Sequence, residues 1–100
     1  MSGEEDASLE IKRAHFFVEG RVQGVGFRHF VRTNARRYGL VGWVRNLWDG
    51  RVEAEAEGPQ EDVQRLIEAC RKGPGTAYVT DVEVNWKPAA RDRHDFDVEM

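Results

Sequence analysis

The chain has 100 residues, 40% of them hydrophobic and 33% charged, with a formal net charge of −3. That length fits one domain with its own core and excludes two independent ones. A single cysteine, Cys70, excludes an intrachain disulfide and suits a reducing cytoplasm, and the acidic balance argues against a general nucleic-acid binder.

No stretch approaches the roughly 18 apolar residues of a membrane span, and the opening segment MSGEEDASLE lacks the regions of a signal peptide. Neither a membrane nor a nucleic acid is expected as a partner. Residues 1–9 read as a disordered acidic tail and residues 10–100 as a single domain. Charge is uneven along that domain. Residues 12–37 carry Lys12, Arg13, Arg21, Arg28, Arg32, Arg36 and Arg37 against Glu19 alone, whereas residues 53–62 carry five acids and no base. A local positive region on an acidic protein suits a small anion better than a long polyanion.

In chain order, AHFFVEGRV alternates as a strand, with Phe16, Val18 and Gly20 on one side. Beyond the next glycines the period changes. Phe27, Phe30, Val31, Ala35 and Tyr38 recur at helical spacing and Gly39 supplies a stop, so residues 27–38 read as a helix. Arg32, Arg36 and Arg37 fall away from that apolar stripe, on what is expected to be a solvated face. VGWVRNLWDGRVEAEAEG reads as two strands joined by a turn at the Asp49-Gly50 pair. In the second of them Val52, Ala54 and Ala56 alternate with Glu53, Glu55 and Glu57, which predicts one buried face and one face in water. Pro59 opens a second helix with Val63, Leu66, Ile67 and Cys70 as its stripe, and Gly73-Pro74 end it. YVTDVEVNW is a fourth strand, with Thr80, Val82, Val84 and Trp86 on one face, and FDVEM a short last one. This order predicts an α+β ferredoxin-like βαββαβ sandwich, an antiparallel sheet with two helices on one face. The fold alone names no function.

The junction GRVQGVGFRHF, residues 20–30, carries the chemistry. Three glycines there suggest that the backbone goes where side chains would obstruct it. A strand that turns into a helix exposes backbone N–H groups with no intrahelical partner, and glycines at 24 and 26 let them curl inward toward an anion. Arg28, in the first helical turn, could close its fork of donors over two phosphate oxygens. The stretch is not a P-loop, because Phe27 and Arg28 stand where Lys and Ser or Thr are needed. Nor is it a dinucleotide fingerprint, because His29 replaces the third glycine.

A second segment, GWVRNLWDG, follows at residues 42–50. With Gly20, Val22, Gln23, Gly24, Val25, Phe27 and Arg28 in the first pattern, and Gly42, Trp43, Val44, Asn46, Asp49 and Gly50 in the second, the chain resembles the acylphosphatase family. The resemblance runs on through Val52, Glu53, Gly58 and the KGP after the second helix to Phe96 and Val98, about residues 14–98. It implies hydrolysis of a small-molecule acyl phosphate to a carboxylate and inorganic phosphate by a stand-alone, monomeric enzyme. It further implies that Arg28 and Asn46 are catalytic. Arg28 binds the phosphate together with the backbone amides of Arg21, Val22, Gln23, Gly24 and Val25, while Asn46 holds the attacking water.

The chemistry is consistent with those parts. An acyl phosphate expels a carboxylate, already a good leaving group, so the reaction needs a held phosphoryl group, stabilised charge and an in-line water. No metal and no cofactor are expected: the one carboxylate near the loop, Asp49, is explained by its turn, and His15, His29 and His94 lack metal-ligand spacing. Trp43, Trp48 and Trp86 read as packing residues, Trp48 alone standing near enough to the turn to line an acyl group. Two rivals remain open. An RNA-binding sheet would need exposed aromatics where this one offers Glu53, Glu55 and Glu57, and a domain that binds an anion without turnover would have no use for Asn46.

Overall fold

A computed structural model describes residues 10–100, and the expected acidic tail at 1–9 lies outside the described residues. The elements run β1 (Ile11–Arg21), α1 (Phe27–Arg37), β2 (Val41–Asn46), β3 (Val52–Pro59), α2 (Gln60–Lys72), β4 (Tyr78–Pro88) and β5 (Phe96–Val98). Each follows from its sequence pattern. β1 buries Ala14, Phe16 and Val18 at every second position, while α1 buries Phe27, Val31 and Ala35 at every fourth. Acids in the first turn of α2 and Arg71 and Lys72 in its last complement the helix dipole.

The sheet order is β4-β1-β3-β2-β5. The first four strands pair antiparallel, but β5 lies parallel to β2, with Phe96 opposite Gly42 and Val98 opposite Val44. The expected antiparallel sheet is therefore mixed. The parallel strand is possible because residues 89–95 cross from one edge of the sheet to the other before β5 begins. Both helices cover the same face, where Phe16, Phe27, Leu66, Ile67 and Phe96 are fully buried. Each such side chain contributes roughly 1.5–3 kcal/mol by leaving water. Val82 carries the β4 share of that core, and Trp86, expected on the same face, stays partly exposed near the strand's end.

The far face does not simply meet water. Glu53 and Glu57 are buried, at 7% and 8% exposure. Both carboxylate oxygens of Glu57 are used by the crossing segment, accepting hydrogen bonds from the amides of Ala90 at 2.7 Å and Arg91 at 3.0 Å. Glu53 accepts from Arg45 Nε at 2.6 Å and lies 2.7 Å from His15 Nε2. Burial raises its pKa, but the hydrogen bonds from Arg45 and His15 outweigh that, and the net shift is downward. Arg45 also lies over Trp43 and Arg51 over Phe17, so the aromatics of this face are capped by the protein's own cations.

Candidate active site

The link from β1 to α1 is left-handed at two points, Gly24 with φ 75° and Gly26 with φ 77°. A side chain at either position would meet nothing within 4 Å, so these glycines serve the dihedral rather than a close approach. Crowding, which the sequence suggested for all three, holds only at Gly20, where an added Cβ would stand 2.1 Å from the Tyr78 carbonyl oxygen of β4. Gly26 is the N-cap of α1 and no side chain caps it; the first turn contains no acid. The amides and the positive end of the α1 dipole are left unneutralised, in contrast to α2, which begins with Glu61 and Asp62.

A cleft of about 270 Å³ opens at this end of α1. Its walls are Val22, Gly24 and Gly26 of the loop, Phe27, Arg28, His29 and Arg32 of α1, Asn46 at the end of β2, and Val98 of β5. Arg28 and Asn46 thus share one cavity with Val22 and Gly24. Arg21, Gln23 and Val25 do not line it. Arg21 closes β1 opposite Tyr78, and the Val25 carbonyl accepts a hydrogen bond from Thr76 Oγ1 at 2.9 Å.

Gln23 does something else. Its amide nitrogen donates to the carbonyls of Leu47 at 2.7 Å and Arg51 at 2.9 Å, stapling the loop to the β2–β3 hairpin. Asn46 stands at the root of that hairpin, so one side chain fixes the loop relative to Asn46. The Asn46 side-chain oxygen is buried and takes no hydrogen bond from the described residues. At the turn, Asp49 accepts from the Arg51 amide at 3.1 Å and from Arg51 Nε at 2.8 Å. Those bonds lower its pKa, the backbone one most.

Arg32 departs from its expected place. It is half-buried in the wall of the open cleft rather than on a fully solvated face, and its guanidinium donates to Nδ1 of the exposed His29 at 2.9 Å. The signal was present in the spacing, since residues four apart on a helix share a face and Arg28 already pointed to the cleft. Val98 gave no such signal, because its place depends on the parallel pairing of β5. Cys70, fully buried, has its thiol pushed up to about 12 by burial, as expected for an inert core residue.

The acylphosphatase family profile matches residues 14–98. The chain belongs to the acylphosphatase family. An acylphosphatase from an Anaeromyxobacter species is 51% identical over 89 residues, covering 89% of this chain and 96% of that protein. One from Haloarcula marismortui is 56% identical over 75 residues, covering 75% and 82%. The crystal structure of acylphosphatase from Bacillus subtilis superposes with a TM-score of 0.86 at 42% identity, covering 89% of this chain and 99% of that one. Part of full-length HypF, solved in a phosphate- and nucleotide-bound form, is similar: TM-score 0.80 and 26% identity over 91% of this chain but 12% of that protein. The BLUF protein BlrB, at 14% identity and a TM-score of 0.69, shares the fold alone. The family's fold is the one seen here, two helices on one face of a five-stranded sheet.

Proposed function

We propose that the chain hydrolyses acyl phosphates to a carboxylate and inorganic phosphate, with Arg28 and Asn46 as its catalytic residues. The observation that carries this reading is the meeting of the two in one cleft, at a helix start whose amides no side chain caps. The phosphoryl group is held by the Arg28 guanidinium and by loop amides between Arg21 and Val25, which also stabilise the charge that grows on its oxygens. The carboxamide oxygen of Asn46, otherwise unpartnered, accepts a hydrogen bond from the attacking water and aims its lone pair at phosphorus. The new bond joins that water oxygen to phosphorus, and the bond from phosphorus to the acyl oxygen breaks with its electron pair on the departing carboxylate. The water proton passes to a phosphate oxygen of the substrate, so no protein base is required.

Among the described residues the lining of the cleft carries no carboxylate to hold a divalent ion, and we extend the proposal to catalysis without metal or cofactor. The protein works as a monomer on a small molecule in the cytoplasm, with no nucleic-acid partner: on the sheet face opposite the helices, Trp43 and Phe17, which could stack bases, lie under Arg45 and Arg51. No described helix is long and apolar enough to cross a membrane. The test is benzoyl phosphate hydrolysis by purified protein with chelator present. Loss of Arg28 to alanine is expected to lower kcat/KM by about 10²–10³, and Asn46→Ala to lower kcat by about 10². A folded wild-type protein that binds phosphate without turnover would make this an anion-binding domain instead. Unimpaired hydrolysis by Asn46→Ala would remove the water-orienting role.

A further inference from the structure

We propose that Arg32 and His29 form a second anion site beside the phosphate cradle, so that this chain favours acyl phosphates whose acyl group carries a carboxylate of its own. The inference rests on the acyl phosphate reading above and deepens it to a substrate class. Arg28 and Arg32 stand four residues apart on α1, one above the other and about 6 Å apart along the axis. Both reach the cleft. Like charges at this spacing weaken a helix, and among the described residues no carboxylate pairs with either. The acids that flank the cleft at β5 are already engaged: Asp95 with Arg36 at 3.0 Å, and Asp97 and Glu99 with Arg93 at 3.9 and 3.3 Å.

The hydrogen bond within the pair sets what it can offer. A guanidinium has donors only, so the Arg32 to His29 contact leaves Nδ1 as the acceptor and the ring proton on Nε2. What remains is a set of guanidinium and imidazole N–H donors with no free acceptor, which suits an anion and nothing neutral that must donate. A phosphoryl group held by Arg28 and the loop amides leaves the Arg32 charge unanswered. A carboxylate on the acyl portion of the same substrate would answer it.

The experiment compares kcat/KM for benzoyl phosphate and meta-carboxybenzoyl phosphate, with chelator present, in the wild type, Arg32→Gln, Arg32→Lys and His29→Ala. The wild type is expected to favour the carboxylated substrate. In Arg32→Gln that preference falls about tenfold, mainly through KM, as loss of a charge-assisted hydrogen bond predicts. Arg32→Lys, which keeps the charge but not the fork, falls between, and it carries the test should Arg32→Gln fail to fold. His29→Ala loses about threefold of the preference, because Arg32 is then no longer held. Turnover of both substrates with the same preference in every variant would overturn the second site and leave the acyl phosphate reading standing. Turnover of neither by the wild type would overturn that reading itself.

Discussion

Replacing Gln23 with alanine removes both hydrogen bonds that tie the cradle loop to the β2–β3 hairpin. Each neutral bond contributes about 0.5–1.5 kcal/mol, so the pair is worth about 2 kcal/mol. For a domain of this size that is a fall of about 10 °C in Tm. The catalytic effect has a separate origin. Gln23 does not line the cleft, yet it joins the segment with Gly24 and Gly26 to the hairpin that begins at Asn46. Freed from the staple, cradle and water-orienting carboxamide drift apart, and a displacement below 1 Å is enough to lower kcat by about tenfold. Urea unfolding at pH 7 and benzoyl phosphate hydrolysis measure the two effects. Gln23→Glu should be worse than alanine, because a carboxylate would face two carbonyl oxygens. A Gln23→Ala protein within about 0.5 kcal/mol of wild type and with unchanged kcat would refute the staple.

Three further outcomes follow from the packing. Gly20→Ala forces a Cβ to within 2.1 Å of the Tyr78 carbonyl at φ 126°; steric and dihedral strain together predict a loss of about 3 kcal/mol in urea titration, and a loss under 1 kcal/mol would contradict the close β1–β4 approach. Glu53 has a pKa depressed below its ordinary 4.5, so its contribution is complete above pH 4.5 and is lost as pH falls through the folded value. Glu53→Gln should therefore be less stable than wild type at pH 7 and show a flatter loss of stability below pH 4.5; parallel pH profiles would count against the Arg45 and His15 pairing. Cys70, with its thiol at about 12, should resist an alkylating reagent at pH 8 in the folded protein and react fully in urea. Rapid labelling without urea would show that α2 does not seal it.

The helices, strands and central hairpin are legible because each has a period of its own, and the buried apolar residues of β1, α1 and β3 are the ones that period selects. The cradle was legible for a different reason: Gly24, Gly26 and Arg28 are types whose chemistry is local to a few residues. What escaped depends on segments distant in sequence. Glu53 and Glu57 alternate like solvent-facing residues, and only the passage of residues 89–95 across their face buries Glu57. Arg91 is held there at φ 54°, unusual for a non-glycine residue, with its amide on Glu57. Val98 reached the cleft by parallel pairing with β2, which three residues cannot announce. Gln23 was placed in the loop by its backbone, whereas its side chain is what the structure uses. Arg32 belongs to a polar stripe that runs through Arg28 to the cleft, and the apolar stripe of α1 says nothing of where that second stripe leads.

Among the described residues the sheet order leaves β4, eleven residues long, bonded on one side only, to β1. An unpaired strand of that length is a template on which a second copy could build. Asp81 and Glu83 lie near its middle and are exposed. Two such edges meeting antiparallel about their centres would press like carboxylates together, an arrangement that costs free energy. Pro88 ends the strand without an N–H to donate, and β5, at the opposite edge, is only three residues long. Exchanging Asp81 and Glu83 for threonine and valine would leave the cleft untouched but remove the charges that keep two such edges apart, and edge-to-edge assembly is the expected result.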